Sequence, residues 1–66
     1  MSLAEQIAEA RRELAMRKKL YPQWVQSGRL DAAQAQHQLV CMEAIVATLE
    51  RVAMDQAQMS LFGTGV

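Results

Sequence analysis

Apolar residues recur at intervals of three or four positions in both halves of this 66-residue chain, except for one seven-residue step across Arg17, and a short polar turn separates the halves. The first set is Leu3, Ile7, Ala10, Leu14, Tyr21 and Trp24, and the second is Leu39, Met42, Ile45, Val46, Leu49, Val52 and Ala53. This spacing is typical of one face of an α-helix, and no stretch shows the two-residue alternation of a strand. The sequence therefore predicts an all-α fold.

Local signals give the predicted bounds of two helices in a hairpin spanning 1–57. Ser2 and Glu5 have the spacing of a capping box, so the first helix should cover about 3–26, with a break near Pro22. Gly28 suits the left-handed residue that ends a helix. Asp31 is a predicted N-cap for a second helix over about 32–57. The helices are expected to pack antiparallel.

The small size of the chain favours self-association. A domain of about 60 residues buries only about 60% of its unfolded surface, and the apolar face of the second helix is wider than one neighbouring helix can cover. We expect a homodimer that forms a four-helix bundle, with an obligate partner protein as the alternative. A structural assembly subunit that docks this face on a larger protein would use the same surface.

Several functional classes lack support in the sequence. No nucleophile–base set, paired carboxylate site or glycine-rich phosphate loop is present, so we expect no enzyme activity, cofactor or small-molecule substrate. His37 and Cys41 stand four residues apart, but one such pair does not predict a metal site. With neither an apolar run of about 18 residues nor a signal-peptide pattern, the expected location is the cytoplasm, without a membrane partner.

Residues 58–66 differ in character from the helices and are predicted to form a flexible tail. Gly63 and Gly65 lie near the C-terminus, yet Leu61 and Phe62 are adjacent large apolar residues. One interpretation is that these two side chains fold back on the hairpin and cover its end. The other is that they bind a second protein.

The tail resembles a known binding peptide. Gln58-Met59-Ser60-Leu61-Phe62 is similar to the Q-L-[S/D]-L-F motif of proteins that bind the bacterial DNA sliding clamp, with Met59 in place of the usual leucine. The resemblance implies a non-enzymatic clamp-binding protein, acting as a replication inhibitor or as an adaptor. Gln58, Leu61 and Phe62 would carry the interaction.

A basic segment supports the main alternative, a small DNA-binding or regulatory dimer. Five of the seven basic residues fall within nine positions and are candidate DNA-phosphate contacts: Arg11, Arg12, Arg17, Lys18 and Lys19. The competing interpretation is a solvated helix face that complements the helix dipole. Beside a clamp, any DNA contact would be indirect. Tyr21 and Trp24 could stack on bases or close the end of the hairpin core.

The run from Tyr21 to Leu30, followed by an alanine-rich helix, resembles small uncharacterised phage and prophage proteins. This resemblance implies no particular activity. It is consistent with a phage-encoded protein that occupies a host clamp.

Overall fold

The computed structural model describes the backbone of residues 1–63 and the side chains of residues 1–59. It contains helix α1, Leu3–Gln26, and helix α2, Ala32–Gly63, and no strand occurs within residues 1–63. Side-chain contacts join Arg11 to Glu50 and Tyr21 to Gln38, so the two helices run antiparallel. The predicted all-α helical hairpin is confirmed.

The first helix begins at the predicted capping box. The Ser2 hydroxyl accepts a hydrogen bond from the Glu5 backbone N–H at 3.1 Å, and the Glu5 carboxylate accepts one from the Ser2 N–H at 3.4 Å. These two bonds satisfy backbone donors that have no partner inside the helix.

The expected break near Pro22 does not occur, because α1 continues through Pro22 to Gln26. Proline removes one backbone donor, but its ring lies on the exposed side of the helix, where water can reach the carbonyl that loses its partner. On the other side, Tyr21 is buried and Trp24 is half-buried. Packing of the residues before and after Pro22 therefore outweighs the tendency of proline to interrupt a helix.

The turn between the helices forms a Schellman motif. The Arg29 N–H donates to the Trp24 carbonyl at 2.8 Å, and the Gly28 N–H donates to the Val25 carbonyl at 3.1 Å. Gly28 has φ +79°, which L-residues rarely adopt. The Asp31 carboxylate then accepts from the N–H groups of Ala33 and Gln34, which confirms it as the N-cap of α2.

Gly28→Ala is expected to lower the free energy of unfolding by about 1–2 kcal/mol, because an L-residue in the left-handed region costs that much. A Cβ at this position would meet no atom within 4 Å, so the cost comes from the backbone conformation alone. Urea unfolding followed by circular dichroism measures the change. Gly28→Asn is the matched control and should cost less, since asparagine tolerates this conformation better. Equal costs for the two variants would contradict the assignment.

The core between the helices is small. Ala10, Met42 and Val46 are buried together, and Leu14 and Leu49 pack against them half-buried. Within residues 1–59 no side chain is fully enclosed. Ile45 and Val52 remain 49% and 40% exposed, so they do not belong to the side of α2 that faces α1. As the sequence indicated, a single neighbouring helix leaves part of the apolar face of α2 uncovered.

The second helix extends beyond its predicted end. We expected it to stop near Ala57 and a tail to begin at Gln58, but α2 continues to Gly63. Glutamine, methionine, alanine and leucine all have good helix propensity, and no helix-breaking residue precedes Gly63. The backbone of Gln58–Gly63 is therefore helical, in place of the tail expected from Gln58 onward.

Candidate functional site

The register of the hairpin decides which part of α2 lies beside α1. Arg11 contacts Glu50 and Lys18 contacts Glu43, so the numbers of facing residues add to about 61. By this register the first residue of α1, Leu3, lies level with position 58 of α2. The backbone of Met59–Gly63 therefore extends past the end of α1. We call this part of α2 the overhang.

The clamp-motif-like peptide coincides with the overhang and the residue before it. Gln58 and Met59 are exposed, Met59 by 72%. The side chains of Ser60, Leu61 and Phe62 lie outside the described residues. Their backbone is helical, and helical spacing puts positions 61 and 62 one turn after position 58. The three positions expected to carry binding thus follow one another on the same side of the helix backbone.

The five basic residues predicted as DNA contacts do not form one face. At 3.6 residues per turn, positions 11 and 18 point one way, positions 12 and 19 a second way, and position 17 a third. Their surroundings agree with this division. Arg11 and Lys18 reach across to α2, whereas Arg12 pairs with Glu9 on α1 itself. The sequence cluster is therefore dispersed around the helix.

Carboxylates of the hairpin neutralise most of this positive charge. Arg11 pairs with Glu50, with 2.9 Å between Nε and Oε2, and Lys18 lies 3.8 Å from Glu43. Arg17 is half-buried, contacts Glu13 at 2.9 Å, and donates to the Gln38 carbonyl at 3.4 Å. Arg12 pairs with Glu9. Four of the five basic side chains thus have an acidic partner, which weakens the case for a phosphate-binding stripe.

Tyr21 and Trp24 pack within the hairpin. Tyr21 is 8% exposed, and its hydroxyl donates to the Gln38 side-chain oxygen at 2.8 Å. The rings of Tyr21 and Trp24 lie 5.7 Å apart at an interplanar angle of 32°. This contact closes the turn end of the core and leaves Tyr21 without an open face for a nucleobase.

The His37 and Cys41 side chains do meet, with 3.5 Å between Nε2 and Sγ. Within the described residues no group of three or more histidine, cysteine, aspartate or glutamate side chains could hold a metal ion. A structural zinc site needs four ligands, so this pair alone does not form one.

The sequence analysis does not predict one exposed apolar surface of α2. Ile45, Val52 and Met59 had been grouped with the core-facing residues or the tail, but all three are exposed on α2. Their seven-residue spacing is the signal that could have identified a separate surface. An open groove of about 530 Å³ lies at the base of the overhang, between Ile7 on α1 and Met54 and Ala57 on α2.

No helix in the part of the chain that the structure describes is both long and apolar enough to cross a bilayer. Comparison of the chain with protein-family models, with curated proteins and with solved structures found no match. The assignment of function therefore depends on the residues and their placement in the hairpin.

Proposed function

We propose that this protein binds the bacterial DNA sliding clamp through Gln58-Met59-Ser60-Leu61-Phe62 and has no enzymatic role. One observation carries the proposal: the peptide lies at the end of α2 that extends beyond α1. A binding peptide must be accessible, and the register of the hairpin leaves this segment without a neighbouring helix.

The residue types in the peptide suit a pocket on another protein. The Gln58 amide both donates and accepts hydrogen bonds, so it can set the register of the peptide against a pocket rim. Leu61 and Phe62 would be the apolar anchors, each worth about 1.5–3 kcal/mol when fully buried. A terminal helical turn that extends past the neighbouring helix opens at low free-energy cost, so the segment can adapt its backbone to the pocket.

A single peptide of this length should bind weakly, because ordering costs about 1–2 kcal/mol per residue. We propose that the protein is a homodimer with two such peptides, forming a four-helix bundle. Since a clamp is a ring with equivalent pockets, two linked peptides could engage two of them. The effective concentration would then raise the apparent affinity about 100-fold, provided that the dimer spans the distance.

By occupying the pocket, the protein would exclude polymerases and repair factors that use the same peptide type. It would then act as a replication inhibitor, or as an adaptor where a further partner is attached. The resemblance of the Tyr21–Leu30 run to phage and prophage proteins supports a phage-encoded protein acting in the bacterial cytoplasm.

The proposal is tested by measuring binding of the full chain to a purified, immobilised bacterial clamp. A synthetic peptide of residues 58–66 should displace the protein, but only at a concentration about 100-fold higher, because the peptide lacks the second arm. If the protein does not bind the clamp at micromolar concentration, or the peptide fails to displace it, the proposal is wrong.

The DNA-binding alternative is addressed with the double variant Arg12→Glu/Lys19→Glu, which reverses charge on one side of α1. Clamp binding should be unchanged in this variant, since positions 12 and 19 are far along α1 from the overhang. DNA binding that is present in the wild type without clamp, falls with salt and disappears in the variant would instead favour the alternative.

A further inference from the structure

The hairpin exposes more surface than a compact chain of its size. Its accessible area is 5166 Å², whereas a folded monomer of 7.4 kDa typically exposes about 4200 Å². The excess of about 1000 Å² is close to the roughly 800 Å² that each partner buries in a protein–protein interface of standard size. Packing of one partner on the hairpin would cover an area of this order.

The exposed apolar residues of α2 identify where such a partner would pack. Ile45, Val52 and Met59 are 49%, 40% and 72% exposed and follow one another at seven-residue intervals. A strict seven-residue repeat forms a straight seam that a second helix can follow. Cys41 and Thr48 lie on the same side of α2 and carry no charge. We call the surface formed by these five residues the α2 seam.

The shape of the α2 seam also fits a helix partner. A shallow depression of about 260 Å³ lies at its centre, lined by Ala44, Ile45, Thr48 and Leu49. Four residues on one helix surface that enclose a depression form the hole into which a side chain of a facing helix inserts. Ile45 or Val52 of a second copy has a suitable size for this hole.

We propose that the α2 seam is the homodimer interface and that the two copies of α2 pack on each other antiparallel. The orientation follows from Asp55, which lies seven residues after Thr48 and therefore continues the Cys41–Thr48 row of the seam. A parallel dimer would bring two Asp55 carboxylates opposite each other, which is unfavourable. In an antiparallel dimer that crosses midway between Ile45 and Val52, each Asp55 lies level with the uncharged position 42 of the second copy.

This arrangement deepens the proposed function and depends on its dimeric form. Met59 would contact the second copy, whereas positions 58, 61 and 62 lie on other sides of α2 and would stay accessible to a clamp. The two clamp-motif-like peptides would lie at opposite ends of the bundle, about 35 Å apart, since each is some eleven residues from the crossing point at about 1.5 Å per residue. The dimer would therefore present two separated arms to a ring of pockets, and one pocket could not hold both.

The interface is tested with Ile45→Lys in the full chain, measured by analytical ultracentrifugation. The dimer dissociation constant should rise about 100-fold or more, because a charge would enter the centre of the seam in both copies. Val40→Lys is the matched control, since Val40 is 50% exposed on another side of the same helix. It should leave dimerisation unchanged. A wild-type chain that stays monomeric at millimolar concentration, or equal effects of the two variants, would overturn the interface.

Disulfide formation under mild oxidation reports the orientation. In the antiparallel dimer the two native Cys41 residues lie about 22 Å apart along the bundle, too far for a bond that needs Cα atoms within about 7 Å. The variant Cys41→Ser/Thr48→Cys should cross-link, because position 48 lies at the crossing point. Cross-linking through Cys41 would overturn the antiparallel order, and no cross-link in either protein would overturn the seam.

These results are separable from the clamp proposal. Ile45→Lys leaves residues 58–62 intact, so the monomeric variant should still bind the clamp, with the affinity of a single arm. A dimer that assembles through the α2 seam but does not bind the clamp would leave the interface correct and the proposed function wrong. The converse result would leave the proposed function correct and the interface wrong.

Discussion

Replacing Leu61 and Phe62 with alanine is expected to weaken binding to the sliding clamp by about 100- to 10,000-fold. Each side chain contributes about 1.5–3 kcal/mol when fully buried, and every 1.4 kcal/mol corresponds to about a tenfold change in affinity. Surface plasmon resonance with the purified clamp measures the change. The helical circular dichroism of the variant should equal that of the wild type, because the overhang has no neighbouring helix in the hairpin.

The matched control removes two half-exposed apolar side chains outside the peptide. Met16 and Val40 are 48% and 50% exposed, one on each helix, and neither belongs to the clamp-motif-like peptide. Met16→Ala/Val40→Ala should bind the clamp as tightly as the wild type. If the Leu61→Ala/Phe62→Ala variant also retained the wild-type affinity, the two residues would not be the anchors and the proposed function would fail.

Met42→Ala is expected to lower the free energy of unfolding by about 2–5 kcal/mol, the range for truncating a buried methionine. A chain of 66 residues has a total stability of only about 3–10 kcal/mol, so this one change should remove a large part of it. Met42 is 7% exposed and lies at the centre of the core with Ala10 and Val46. Urea unfolding followed by circular dichroism at a fixed protein concentration measures the loss.

Met54→Ala applies the same chemical change at a position that is 61% exposed. It should alter the stability by less than about 0.5 kcal/mol, because an exposed side chain loses little buried area. Similar losses in Met42→Ala and Met54→Ala would show that the Ala10–Met42–Val46 cluster is not the core of the folded chain.

The local elements of the hairpin could be predicted because short-range chemistry decides them. The capping box of Ser2 and Glu5, the left-handed Gly28 and the N-cap Asp31 each involve partners within a few residues. Such contacts do not depend on how the helices pack. The same holds for the clamp-motif-like peptide, whose residue types are visible in the chain itself.

Predictions of helix continuity and of shared surfaces were less accurate, because they depend on how the two helices pack. Pro22 predicts a break when only its own ring and hydrogen bond are considered, but burial of Tyr21 beside it keeps α1 continuous. The α2 boundary near Ala57 relied on a fading apolar pattern, whereas helix propensity extends the helix to Gly63. The basic cluster of α1 looked like one surface, but helical geometry and carboxylates from both helices divide it.

The sequence by itself determined that the chain forms two helices, where the turn lies, and which peptide near the C-terminus could bind a clamp. These follow from propensity, capping and residue identity, which act over a few positions. Only the tertiary structure decided which apolar residues of α2 face α1. It also decided that α2 extends beyond α1 at the end that carries the peptide. The reason is that both depend on the register between the helices, which is set by contacts such as Arg11–Glu50 between residues 39 positions apart.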